Sequence, residues 1–292
     1  MPKYELIGRT VLLTGATGGL GAALAKELRA RGANLALLDL DTDATGKQAD
    51  ELGGSMVARG WRADVRDLES LKQAAAAAAE YFGRIDVVLA IAGIDTMGPM
   101  ATIDPEAFER VIDINLTGVW RTFRATLPHV QAQQGYLMAI SSMAAFVHSP
   151  LQGSYTASKA GVWAMCDSIR LELRHLDVAV GSVHPTFFQT PMMDDVLNDP
   201  AGQTLWGGNK KGLWKMVPQR VVINGIVKGI ERRATTIVLP KRNTIVAKAP
   251  GLFRPIVDRI GFRGTTIPSA ISLASPTGLN EPPNRDRAQH LD

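Results

Sequence analysis

The stretch from Thr10 to Asp39 limits the folds open to this chain more than any other. TVLLTG (residues 10–15) is a short, apolar, β-branched run closed by glycine, the pattern of a strand buried on both faces. TGATGGLG follows, and then AALAKELRARG, a helical pattern with Leu24, Ala25 and Leu28 on one face and a stop at Gly32. ANLALLDLD is a second buried strand closing on Asp39, 24 residues after Gly15. Strand, glycine turn, helix and strand in that order make a parallel βαβ unit. Gly15, Gly19 and Gly21, with Thr17 and Leu20 among them, let backbone N–H groups and a helix N-terminus approach a pyrophosphate. Asp39 stands where a carboxylate accepts the hydroxyls of an adenosine ribose. A glycine cluster alone is often an ordinary loop, but this setting points to a dinucleotide. A carboxylate here repels a 2′-phosphate, and Asp41 and Asp43 follow where an arginine would suit NADP, so the expected cofactor is NAD.

The alternation then repeats. A helix around 44–53 leads to MVARGWRADV, read as a strand ending at Asp64 and Val65, where an acid can meet the adenine amino group. Residues 67–83 form an Ala-rich helix stopped by Gly83, and IDVVLAIAG (85–93) is the next strand, ending in Ala92 and Gly93. Asp104 and Pro105 suit the N-cap and first turn of a helix expected to run unbroken past Asn115 to Trp120. GYLMAISS, the helix from Tyr155, VAVGSVHP and TTIVLP (235–240) supply three further strands and a helix. The expected fold is α/β: one doubly wound parallel sheet of Rossmann type, about seven strands, with helices on both faces.

Tyr155 and Lys159 lie four apart on the helix after GYLMAISS, so both side chains occupy one face, one turn apart. Free tyrosine titrates near pH 10, and a neighbouring ammonium lowers that value toward useful acid/base chemistry. Ser142, at the end of the preceding strand, can hold a reacting oxygen against Tyr155. Taken singly these residues are weak signals: Ser142 reads equally as a strand-end serine and Asn115 as a helix-surface residue.

Thr14-Gly15-x-x-x-Gly19-x-Gly21, Asp39, Asp64, Asn115, Ser142, Tyr155 and Lys159, with 13 residues from Ser142 to Tyr155, together resemble the short-chain dehydrogenase/reductase family over about residues 6–192. The resemblance implies hydride transfer between NAD(H) and an alcohol or ketone, with Tyr155 as acid/base. It implies that Lys159 lowers the Tyr155 pKa and binds the nicotinamide ribose, that Ser142 orients the substrate oxygen, and that Asn115 holds a water leading from Lys159 to solvent. Pro185 and Thr190 would then face the nicotinamide. Two departures stand out: Ala90-Ile91-Ala92-Gly93 replaces the family's Asn-Asn-Ala-Gly, and Thr186 replaces the glycine after Pro185. A dinucleotide sensor without turnover and an NADPH-dependent carbonyl reductase remain the alternatives. The family commonly pairs through the Asn115 and Tyr155 helices, so a homodimer or homotetramer is expected, with Val111, Val119, Val162, Met165 and Ile169 as its apolar positions.

The remainder of the chain is less constrained. PMMDDVLNDPAGQTLWGGNKKGLWKM places Met192, Met193, Val196, Leu197, Trp206, Leu213 and Trp214 in a lid, at about 190–217, over an apolar pocket or simply over the core. The substrate expectation is therefore a bulky apolar alcohol or ketone. NTIVAKAPGLFRPIVDRIGF reads as a helical face broken at Pro250 and Pro255, and the domain is taken to span 1–265. Residues 266–292 form an extension whose Pro-rich end is expected to be disordered. From Leu205 to Arg263 there are 13 Lys or Arg against Glu231 and Asp258. That basic 205–263 stretch fits either a solvated face or peripheral contact with an anionic membrane; no nucleic-acid reading motif accompanies it. A single cysteine, Cys166, excludes an internal disulfide, and with no secretory h-region or membrane-length run the expected location is cytoplasmic. Cys166 reads as a buried thiol, His148 as a loop residue near the pocket, and His184 as a core residue. No metal-ligand spacing is present, so no metal is expected.

Overall fold

In a computed structural model, residues 3–210 and 212–275 are described, with only the backbone considered at Leu213. The βαβ unit forms as its pattern requires: β1 (Thr10–Thr14), α1 (Gly19–Ala30) and β2 (Asn34–Asp39). It continues through α2 (Thr42–Glu51), β3 (Ala58–Arg62), α3 (Leu68–Phe82) and β4 (Val87–Ala90). Asp41 and Asp67 cap α2 and α3, each carboxylate accepting from two backbone amides of the first turn.

The second half contains α4 (Pro105–Ile112), a π-helical turn (Asp113–Thr117), α5 (Gly118–Ala132), β5 (Tyr136–Ile140), α6 (Gly153–Leu173) and β6 (Ala179–Pro185). Beyond it lie α7 (Pro191–Asn198), α8 (Pro200–Trp206), α9 (Gln219–Ile230), β7 (Thr236–Leu239), α10 (Thr244–Lys248), α11 (Pro250–Gly261) and α12 (Thr266–Ala274).

The seven strands are parallel in the order β3-β2-β1-β4-β5-β6-β7. The order reverses between β1 and β4, whose ends pair Thr14 with Ala90, and this opens a crevice at the C-terminal edge. Alternate residues serve opposite faces: Val11 and Leu13 pack beneath α1 and α9, while Leu12 joins the core under α3, α5 and α6. Both faces are therefore covered, and the crevice is the opening left to a ligand.

Four local expectations need correction. The helix expected through Asn115 is interrupted by the π turn, which fits one extra residue and carries Asn115 inward to full burial. The third strand ends at Arg62, because the chain turns at Asp64, whose N–H donates to Ser70 Oγ at 3.1 Å. Pro255 does not break α11; it forgoes one hydrogen bond and the helix stays anchored by buried Val257. Val111, Val119 and Val162, expected to offer a pairing surface, are used up in the chain's own core. Phe108, Trp120 and Leu171 are the large apolar side chains left exposed on those helices.

In the stretch assigned to the extension, α12 packs on α8, with Ala270 fully buried beside Leu205 and Trp206. Residues 276–292, expected to be disordered, lie outside the described residues. No helix among the described residues is long and apolar enough to cross a membrane.

Candidate active site

The crevice is a cleft of about 780 Å³ whose floor is the glycine turn. Gly15 has φ +67°, and a Cβ there would come within 2.8 Å of Ala92 Cα. At Gly21 a Cβ would strike the Gly15 carbonyl, and at Gly19 it would lie 2.5 Å from Pro191 Cδ at the start of α7. The turn is thus pressed between the end of β4 and the lid. No side chain caps the N-terminus of α1 and no acid sits in its first turn, so its free amides and positive end face the cleft.

The other expected cofactor residues line the same cleft: Thr17, Leu20, Asp39, Asp64, Val65, Ala92, Gly93, Pro185 and Thr190. Asp39 is held in place, accepting from Thr17 N at 3.0 Å, Thr17 Oγ1 at 2.6 Å and Leu40 N at 2.8 Å. Asp64 is less available than expected. Arg66 binds its carboxylate at 2.7 Å, and that side-chain hydrogen bond holds it below the usual carboxylate range. Thr190 Oγ1 accepts from Met193 N as the N-cap of α7, which leaves its hydroxyl proton to donate. The asparagine missing after β4 is partly replaced by Thr14, whose Oγ1 accepts from Ile91 N at 3.3 Å.

Ser142, Tyr155 and Lys159 line the same cleft as the glycine turn and the lid, with Ser142 hydrogen-bonded to Tyr155. Buried Lys159 donates from Nζ to the Ile140 carbonyl at 3.0 Å, with Nζ 5.5 Å from the Tyr155 ring centroid. Gly93 makes room: a Cβ there would lie 3.2 Å from Asn115 Oδ1 and 3.5 Å from Lys159 Nζ. Burial lowers the Lys159 pKa to about 8, against the opposing charge of Asp95. Tyr155 is pushed up, not down, by burial and then by Asp95, while a hydrogen bond with Ser142 works the other way. The expected lowering by Lys159 is not among the causes; only the Ser142 hydrogen bond opposes the rise.

Asn115 is tied to the backbone. Ile94 N donates to its Oδ1 at 2.8 Å, and its Nδ2 donates to the Ile94 carbonyl at 2.8 Å and to Ser158 Oγ at 3.3 Å. Its side chain fixes the segment after β4 against α6.

Two residues were missed by sequence reasoning. Asp95 lines the cleft two positions past Gly93, accepting from Thr96 N at 2.8 Å and from Gln152 Nε2. Burial raises its pKa to about 6. A lone acid in the apolar run AIAGIDTM was the available signal, whereas Gln152 carried none.

Over the site, Met192, Met193, Val196, Trp206 and Trp214 line the cleft from the lid side, joined by Phe187. Leu197 packs behind them in the lid's own apolar cluster, and the Leu213 side chain lies outside the described residues. His148 reaches the cleft and is half-buried. His184 is fully buried, 2.9 Å from Ser182 Oγ, and burial lowers its pKa to about 4. Cys166 is buried, and its thiol is pushed up to about 12 by that burial.

Residues 9–201 match the family model for short chain dehydrogenase. The chain belongs to that family. An uncharacterized NAD-dependent oxidoreductase of Mycobacterium tuberculosis is 33% identical over 208 residues, covering 65% of this chain and 75% of that protein. (−)-trans-Carveol dehydrogenase of Rhodococcus erythropolis is 36% identical over 206 residues, 64% of this chain and 74% of that one. A short-chain dehydrogenase/reductase of Burkholderia phymatum, solved with NAD, superposes with a TM-score of 0.75 at 22% identity, covering 87% of this chain and 96% of that one. That structure has the same fold.

Asp95 gives the family site of this chain a pH signature. Its carboxyl keeps a proton to about pH 6 when folded, against 3.8 for an ordinary aspartate. Between those values the folded state binds more protons than the unfolded state, so stability falls as pH rises. Urea unfolding from pH 4 to 7 should show the native protein losing stability relative to Asp95→Asn up to about pH 6 and paralleling it above. Parallel curves throughout would contradict this assignment.

Proposed function

We propose that this chain is an NAD-dependent dehydrogenase interconverting a secondary alcohol and ketone on a bulky, largely apolar molecule, with Tyr155 as acid/base. The observation that carries this reading is that Tyr155, with Ser142 and Lys159 close to it, lines one cleft with the glycine turn and the apolar lid. The glycine turn, the free N-terminus of α1 and the fixed Asp39 would hold the dinucleotide, which supplies or accepts the hydride when bound. The protein's part is position and proton handling. Ser142 holds the substrate oxygen beside the Tyr155 hydroxyl, which donates its proton in ketone reduction and accepts one in alcohol oxidation. The Lys159 ammonium offsets the phenolate charge left on Tyr155, and Asn115 holds the Ile94 segment against α6. The lid excludes water and presents apolar surface to the substrate body, in keeping with the cyclic alcohol named for the carveol dehydrogenase relative.

Tyr155→Phe should lower kcat by roughly two to four orders of magnitude, the usual worth of a positioned acid/base. NADH binding should change little. An alcohol and ketone panel followed at the nicotinamide absorbance tests this, and the absence of any Tyr155-dependent turnover would favour the dinucleotide-sensing alternative.

NAD(H) is the proposed cofactor because Asp39 is anchored in the cleft while Arg66, the cation on that rim, is committed to Asp64. A 2′-phosphate would meet a carboxylate without compensation. We expect kcat/KM to favour NAD over NADP by on the order of tenfold or more, and Asp39→Ser to narrow the ratio. A native preference for NADP would refute the assignment.

A second reading concerns membranes. Leu252, Ile256 and Ile260 form one stripe along α11 and are 74%, 54% and 50% exposed. Lys248, Arg259 and Arg263 beside them are exposed and make no ion pair among the described residues. Elsewhere the basic stretch is partly structural: Arg233 bonds the carbonyls of Gln134, Gly135 and Asp177. The stripe adjoins the lid, where Gly261 packs on Trp214. An anionic lipid surface fits this combination and would bring apolar substrate to the cleft. Co-sedimentation with phosphatidylserine-containing vesicles should occur at low salt and fade at high salt. No binding at low salt, or binding unaltered when Lys248, Arg259 and Arg263 become Gln, would remove this reading.

A further inference from the structure

We infer that Asp95 and Gln152 form a polar clamp in the substrate cleft that binds a second hydroxyl group, so that the preferred substrate is a diol or hydroxyketone; this rests on the dehydrogenase reading of the same cleft. The two residues come from different elements and converge beside the acid/base. Asp95 follows β4 two residues after Gly93, and Gln152 precedes α6 three residues before Tyr155. Gln152 Nε2 and Thr96 N each donate to one Asp95 oxygen, which orients the carboxylate and leaves lone pairs unfilled. Among the described residues Asp95 makes no ion pair; Lys159, whose Nζ donates to the Ile140 carbonyl, acts on it only through its charge, and Arg110 lines the same cleft.

A buried carboxylate in a cleft that Met143, Met192, Met193 and Trp206 also line is costly to desolvate unless something uses it. A purely apolar substrate would seal it against the lid with its remaining lone pairs empty. An ionised carboxylate only accepts hydrogen bonds, so the group it reads must donate, and a hydroxyl does so without introducing another charge. Burial raises the carboxyl pKa but leaves it mainly ionised at neutral pH. A site built in this way also rejects the analogue lacking the hydroxyl, because its own polar group is then stranded. The clamp places the second hydroxyl on the Asp95 side of Tyr155, while Phe187 and the lid take the hydrocarbon body.

The test compares trans-cyclohexane-1,4-diol with cyclohexanol in two readouts: kcat/KM with NAD, and calorimetric binding to the NADH-saturated protein. The native protein should prefer the diol by about tenfold or more in both, the factor given by 1.4 kcal/mol of binding. Asp95→Ala and Gln152→Ala should bring the ratio toward one, and Asp95→Asn, which keeps an acceptor oxygen, should retain part of it. That partial rescue also guards against an alanine variant that fails to fold. A native ratio near one, or a ratio unchanged in all three variants, overturns the clamp. Diol-selective binding without turnover of either alcohol overturns the dehydrogenase reading and leaves the clamp standing. Turnover without diol preference does the reverse, and neither binding nor turnover overturns both.

Discussion

Gly15 rests against the backbone of Ala92 more closely than any side chain would permit, and the site depends on that contact. It joins the turn after β1 to the end of β4 at the place where strand order reverses. With the two strand ends clamped there, α1 must rise directly from the glycine turn with its N-terminus toward the crevice. Asp39 then stands beside Thr17 and Gly93 beside Asn115. Any Cβ at Gly15 would wedge the two strands apart and displace the dinucleotide floor together with the Lys159 end of the site.

Desolvation is the second governing effect. The lid and α6 place Asp95, Tyr155 and Lys159 in one poorly hydrated space, where each is shifted toward its neutral form. Asp95 opposes the loss of charge at Lys159 while adding to the pressure that keeps Tyr155 protonated. The site is therefore an electrostatic group of three, in which desolvation and Asp95, opposed by Ser142, govern Tyr155. Under the proposed reaction, a protonated Tyr155 would suit proton delivery to a carbonyl, and alcohol oxidation would draw on Lys159 to hold the phenolate charge.

Local spacing made much of the site legible. Gly15, Gly19, Gly21 and Asp39 belong to one βαβ unit, and Tyr155 and Lys159 to one helix, so neighbours in sequence are neighbours in space. The third strand, the Asn115 turn and the use of Val111, Val119 and Val162 were misjudged for a different reason. Each depends on what packs opposite, and an amphipathic pattern does not say whether its apolar face meets the same chain or another. Asp95 and Gln152 escaped because they lie 57 residues apart and carry no shared spacing.

By itself, the sequence determined the doubly wound sheet, the glycine turn at the crevice and the placing of Tyr155 and Lys159 on one helical face, because these follow from periodicity, glycine geometry and a single helical turn. Tertiary structure alone decided which charges share the buried space, that the Asn115 side chain bonds Ile94, and that Asp95 and Gln152 meet in the cleft. Those outcomes depend on the burial of groups brought together from distant segments, and desolvation is a property of the assembled neighbourhood that no residue carries alone.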